Sequence, residues 1–419
     1  MSSVSGWAPR RLTELAEYIN GYAFKPEDWG KDGLPIIRIE QLKNPLASTD
    51  FFSGKIPEKL VIQNGDLLFS WSASLFLKIW QHGTAALNQH LFKVVEKEGV
   101  DRFFLKAFIE FFLPELTAAS HGSTMKHITR KELERFSALF PASLDEQKKI
   151  AQILLTVDQA IEQTEALIAK QQRIKTGLMQ DLLTRGIDEH GQLRTEQTHA
   201  FKDSPLGRIP VEWGVQILES VSEFVTSGSR GWAQYYSTEG ALFLRIGNLT
   251  RKHINMRFDD VIRVSPPASS EGERTAVKKD DLLISITADL GIVAVIPDGF
   301  ETAYVNQHIA LTRLDNSRAY ARFVGWFLNG QLGQAQFDKL NESGAKAGLN
   351  LPSIKNLQIP VPSLDEQVKI AQAIDSATGK TDEFHARLVK CQSLKRALMQ
   401  DLLTGRKRVT DLLSPEVSA

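Results

Sequence analysis

A chain of 419 residues is too long for one ordinary hydrophobic core and points to two or three domains. Its 42% apolar and 24% charged residues fit a soluble globular protein. No stretch is apolar enough to cross a membrane, because the greasiest run, 103–116, is interrupted by Lys106, Glu110 and Pro114. A net charge of zero gives no whole-chain basic field, and one cysteine, Cys391, excludes an internal disulfide and a cysteine-based zinc cluster, with a reducing cytoplasm as the default compartment.

In chain order, residues 1–143 read as a β-rich module with some helix. GLPIIRI at 33–39, GDLLFS at 65–70 and NQHL at 88–91 are short runs bounded by Gly, Asp and Pro, and 102–113 has helical period. At SLDEQKKIAQIL, from Ser143, the period changes. Ile150, Ile153, Val157, Ala160, Ile161, Leu167, Ile168, Ile174, Leu178 and Leu182 fall on a and d positions with a flanking stripe, for about four to five heptads. Ser143 with Glu146 forms a capping box, and Gly186 is a stop, so the spacing predicts one helix over 144–185. Residues 186–213, polar with Gly and Pro, read as a linker.

The second half repeats the first. GALFLRI at 240–246, DDLLIS at 280–285, NQHI at 306–309 and a helical stretch at 320–328 stand in the same order within 214–363. SLDEQVKIAQAI from Ser363 then opens a second helix over 364–405, and LMQDLLT recurs at 178–184 and 398–404, at the offset that separates the two SLDEQ phrases. This helix loosens where Thr378, Gly379, Lys380 and Arg387 intrude; a mid-helix Gly costs about 1 kcal/mol, so a softer or bent centre is expected. Cys391 falls on an a position, as a small buried hydrophobe. A tail, 406–419, follows. The expected fold is α+β: two β-rich domains joined by two long antiparallel coiled-coil helices, a pseudo-two-fold tandem duplication. Each helix is roughly 60 Å long and needs the other, so the pair reads as a ruler matching somewhat under twenty base pairs.

The two SLDEQxKIA phrases, the LMQDLLTRG and LMQDLLTGR helix ends and GRIPVEWG at 207–214 together resemble the specificity subunit of type I restriction-modification systems, over essentially the whole chain. The resemblance implies two target-recognition domains, each reading one half of a split asymmetric site on double-stranded DNA. It also implies that the helices set the spacer and dock two methyltransferase subunits, which bring the S-adenosylmethionine, while motor-nuclease restriction subunits join that core. No cofactor is expected in this chain.

An enzymatic site is missing from the sequence: there is no NPPY-like tetrapeptide, Gly-rich cofactor loop, HExxH or Cys/His metal spacing. ATGKT at 377–381 imitates a phosphate loop, but Ile374 stands where its first glycine belongs. Base readout belongs where the halves differ, and phosphate contact where they agree. Arg38 and Arg245, at matched positions, are phosphate or scaffold candidates. Gln41, Lys43, Trp71, Ser74, Lys78, Ser123, Lys126 and His127 are the base-reading candidates of the first module, and Ser229, Arg230, Asn248, Arg251, Lys252, Thr287, Asp289 and Lys346 those of the second. The repeated Asn-Gln-His reads as a structural turn or a shared backbone contact. A non-catalytic scaffold binding proteins or glycans through two β-rich modules is the alternative reading.

Overall fold

The computed structural model describes residues 4–118, 127–287, 289–342 and 349–413. They form two compact units: 1–165 with 386–419, and 166–385. Each contains one β-rich module and parts of both long helices.

Unit one is framed by Trp7–Arg11, which pairs antiparallel with Ser137–Pro141. Inside this frame lie two four-stranded sheets. The first is antiparallel, in the order Ala16–Asn20, Leu91–Glu96, Leu67–Ser70, Phe76–Ile79. The second runs Phe51–Phe52, Leu34–Ile37, Ala85–Leu87, Val61–Ile62, with a parallel central pair. The LLFS run explains how they stack. Side chains alternate across a strand, so Leu67 and Phe69 enter one core, with Leu12 and Phe104, and Leu68 enters another, with Ile37 and Leu87.

Unit two repeats the plan. Gly214–Ile217 pairs with Gln358–Val361. Its antiparallel sheet is Ser222–Ser227, Ile309–Leu314, Leu282–Ser285, Val293–Val295, and its mixed sheet joins Ala241–Leu244 to Ala303–Val305 in parallel. Leu282 and Ile284 face one core, Leu283 the other. The helix expected at 102–113 extends through Pro114 as Arg102–Ala118. Its counterpart in unit two is divided at Gly330 into Ala321–Asn329 and Gln331–Glu342.

The long helices are Leu144–Leu182 and Leu364–Leu402, 39 residues each. They run antiparallel in both units. In unit one Ile150 and Leu154 share a core with Leu402 and Leu403, and Lys395 reaches Asp158 at 2.6 Å. In unit two Leu178 and Leu182 pack with Ile370 and Ile374. Two expectations need correcting, in the stripe of helix one and at Cys391. Leu167 and Ile174 are exposed (38% and 48%), because a two-helix seam is narrower than the stripe and Ile168 takes the buried place. Helix two runs as one helix through Gly379, as expected, and the intruding Thr378 is buried, its hydroxyl returned to the Ile374 carbonyl. Cys391 is only half-buried.

Each residue of the SLDEQ phrase has a separate task. Ser143 and Ser363 accept from the amides of Glu146 and Glu366, capping the helix. Gln147 and Gln367, both fully buried, tie the helix to its module. Gln147 accepts from the Asp101 amide and donates to Gly99 and Pro141 carbonyls. Gln367 accepts from Tyr320 and donates to Arg318 and Pro362. The glutamate closes a knot. In unit one Trp7 Nε1 and the Arg408 guanidinium donate to Glu146. In unit two Trp213 Nε1 and Arg194 donate to Glu366. Thus the long helix of each module starts against an arginine that follows the end of the other long helix. Residues 186–213, expected as linker, supply Arg194 and carry the hairpin Phe201–Ser204 with Gly207–Pro210.

Candidate nucleic-acid interface

Both modules build the same two-part feature at one end of the antiparallel sheet. The first part is the Asn-Gln-His turn. Asn88 Oδ1 accepts from the His90 amide at 3.2 Å, and Asn306 Oδ1 from His308 at 3.1 Å. Gln89 N donates to the Tyr22 carbonyl, and Gln307 N to that of Ser229. The chain passes so close that a Cβ on Gly21 would lie 2.2 Å from the Asn88 oxygen, and one on Gly228 2.1 Å from that of Asn306, so only glycine fits.

The second part is the loop that follows Leu67–Ser70 or Leu282–Ser285. Its last strand residue closes it: Ser70 Oγ donates to the Ser74 carbonyl, and Ser285 Oγ to that of Asp289, each at 2.5 Å. Two residues beyond that serine, a hydroxyl meets the turn's imidazole, Ser72 with His90 Nδ1 at 3.4 Å and Thr287 with His308 Nδ1 at 2.5 Å. The carbonyls of Trp71 and Ile286 accept from Ile128 and Leu349.

Side chains on this frame differ. In unit one Trp71 stacks on Phe92 with ring centres 5.6 Å apart and stands 6.1 Å from His127; Trp71 Nε1 and His127 Nδ1 are buried without a hydrogen-bond partner among the described residues. Lys43 Nζ donates to Ser74 Oγ at 2.6 Å. In unit two Arg251 bonds Asp289 Oδ1 at 2.5 Å, together with Gln334 Oε1 and the Leu290 carbonyl. Of the residues picked from sequence, the fold therefore brings together Lys43, Ser74, Trp71 and His127 on one side, and Arg251, Thr287 and Asp289 on the other.

Several candidates are placed elsewhere. Arg38 is paired with Asp50 at 2.7 Å and Arg245 with Asp260 at 2.6 Å, so the matched arginines hold scaffold carboxylates. Gln41 and Asn248 are buried (3% and 4%) and accept from the amides of those arginines, closing the turn that follows each; they are corrected from readers to caps. Ser229 is buried against Thr275. Lys78 donates to the Leu42 carbonyl. Arg230 and Lys252 are exposed. Ser123, Lys126 and Lys346 lie outside the described residues. Sequence reasoning passed over Ser72, His90 and His308 as site residues, although the recurring Asn-Gln-His was their signal.

Beside Arg251, unit two holds a cavity of about 900 Å³ lined in part by Lys175, Lys252 and His253. Lys175 lies 4.8 Å over the Trp326 ring, and burial holds its ammonium below its usual range; burial likewise lowers His253. Among the described residues no His, Cys, Asp or Glu group is placed to hold a metal ion, and no helix is long and apolar enough to cross a membrane.

The model of the family described as type I restriction modification DNA specificity domain matches residues 4–171 and 211–390. The EcoBI specificity subunit of Escherichia coli is 24% identical, covering 100% of this chain and 91% of that protein. The MjaVIII specificity subunit of Methanocaldococcus jannaschii is 23% identical, over 97% and 94%. Among solved structures, the type I restriction-modification S subunit from M. genitalium superposes with a TM-score of 0.62 at 16% identity, over 94% of this chain and 96% of that one. A chain from a type I R-M system studied for complex assembly and conformational transition gives 0.55 at 17%, over 97% and 100%. These two likenesses agree with the duplicated fold, and the family match accounts for both β-rich modules. The chain belongs to the type I restriction-modification DNA specificity family, as a non-catalytic specificity subunit with two DNA-recognition domains.

Proposed function

We propose that residues 1–143 and 214–363 are target-recognition domains that each read one half of a split, asymmetric site on double-stranded DNA. The helices 144–185 and 364–405 hold two methyltransferase subunits, which carry the S-adenosylmethionine, and motor-nuclease subunits join them in the cytoplasm. The observation that carries this reading is the repetition of one hydrogen-bonded frame with different side chains on it. Two readers of different half-sites need the same scaffold and different edges toward the bases.

The test is to exchange residues 214–357 for the matching segment of a relative and map the methylated motif of the assembled complex. One half of the motif is expected to change while the other stays. If both halves change, or neither does, the modular reading fails; native partners other than methyltransferases would favour a protein-binding scaffold. Spacing has its own test. A heptad added after Leu167 with another after Arg387 adds about 10 Å of helix at 1.5 Å per residue, and a ruler would then favour roughly three more base pairs between unchanged half-sites. An active variant keeping the original spacer would refute it.

A further inference from the structure

The repeated frame narrows the search for base readers from sixteen candidates to one loop per unit. What is held constant is the scaffold: the strand-end serine that closes the loop, the hydroxyl on the histidine, the asparagine-capped turn and the amide donated to the first loop carbonyl. What varies is the residue whose carbonyl closes the loop, Ser74 or Asp289, and the cation that reaches it from the segment after the Arg38 or Arg245 turn. A scaffold that merely needed packing would have no reason to change both members of this pair together. A reader of two different sequences would.

We propose that this loop is the base-reading element of each half-site, with Lys43–Ser74 and Arg251–Asp289 as the pairs that choose the base; the inference rests on the split-site reading above. The two pairs present opposite chemistry. Lys43 and Ser74 offer an ammonium and a hydroxyl, a donor set suited to the paired acceptors O6 and N7 of guanine in the major groove. In unit two the guanidinium is spent on Asp289 Oδ1, Gln334 and the Leu290 carbonyl. Its role there is to fix the carboxylate, which is more than half exposed and left to accept from an exocyclic amine such as N4 of cytosine. Unit one therefore reads an acceptor edge at this position and unit two a donor edge.

The experiment uses the complex of this chain with its methyltransferase subunits and a DNA pool randomised across both half-sites, with bound or methylated DNA sequenced. Ser74→Asp is expected to shift the preferred base, by about tenfold or more, at one position or two adjacent positions of one half-site. Asp289→Ser does the same in the other half alone. Arg251→Gln, which frees the carboxylate, relaxes the same position as Asp289→Ser. Thermal unfolding of each variant, including Ser74→Asp at a half-buried position, checks that the fold is intact. An unchanged motif in Ser74→Asp or Asp289→Ser, a change in both halves from one substitution, or loss of all selection by a variant with normal unfolding would each overturn the assignment. If the wild-type complex itself selects no two-part motif, it is the split-site reading that fails, and the loop assignment falls with it.

Discussion

The two units tie the same glutamate knot, and they differ in where the arginine comes from. In unit two, Arg194 follows shortly after the first long helix, and both it and Glu366 are 9% exposed, with the Ile187 amide donating to the same carboxylate. In unit one, Arg408 arrives from the far end of the chain and keeps 27% of its side chain exposed, while Glu146 is 1% exposed. One motif thus serves both, but the second copy is sealed and the first is open on the arginine side. A pair in low dielectric is costly to break, and one with a solvated partner less so.

That difference sets the order of expected effects. Glu366→Ala strands a buried guanidinium and is expected to destabilise unit two by about 3–5 kcal/mol. Glu146→Ala leaves Arg408 able to reach water and costs unit one about 2 kcal/mol. Native-state hydrogen exchange, which reports each unit separately, makes the comparison, and equal losses would erase the distinction between sealed and open knots. Gln147→Leu and Gln367→Leu sharpen it from the other side. Their hydrogen bonds match group for group, so each should lose about 1–3 kcal/mol and the two values should agree, by the same measurement. Gly379→Ala is expected to stabilise unit two by up to about 1 kcal/mol, seen as a higher denaturant midpoint, because its added Cβ meets nothing within 4 Å inside a helix.

The smallest effect is one of pH and belongs to unit two. Burial holds the His253 imidazole below its ordinary range, so the folded state favours its neutral form. The sign follows: the contribution is fully present above about pH 6.5, the unfolded value, and falls as pH drops through it. Exchange rates of unit two measured from pH 7.5 to 5.5 should show the loss, and His253→Gln should flatten it.

Much of the architecture was readable because it is local. The heptad stripe, the Ser143–Glu146 cap and the matched phrases each lie within a few turns of chain, and the two SLDEQ copies exposed the duplication. The reason for the glutamate was not readable, since Trp7 and Arg408 lie at opposite ends of the sequence from each other. In the site, Gln41 and Asn248 resembled readers because a polar residue in a divergent loop looks the same whether it caps a turn or faces a base. Only their burial tells the two apart. The recurring Asn-Gln-His reads as a structural turn, and Asn88 and Asn306 each close one. The loop beside each turn was not legible from that recurrence, because only the folded chain brings Ser72 to His90 and Thr287 to His308.

Arg408 also dates the assembly of the molecule. A ribosome joins residues 166–385 before it reaches codon 408, so everything unit two requires has been polymerised while Glu146 still lacks its cation. The module synthesised first is the one finished last. A message cut short between those points would yield a chain with its second module closed and its first left open around an unpaired carboxylate, a ready substrate for proteolysis rather than a half-specific subunit.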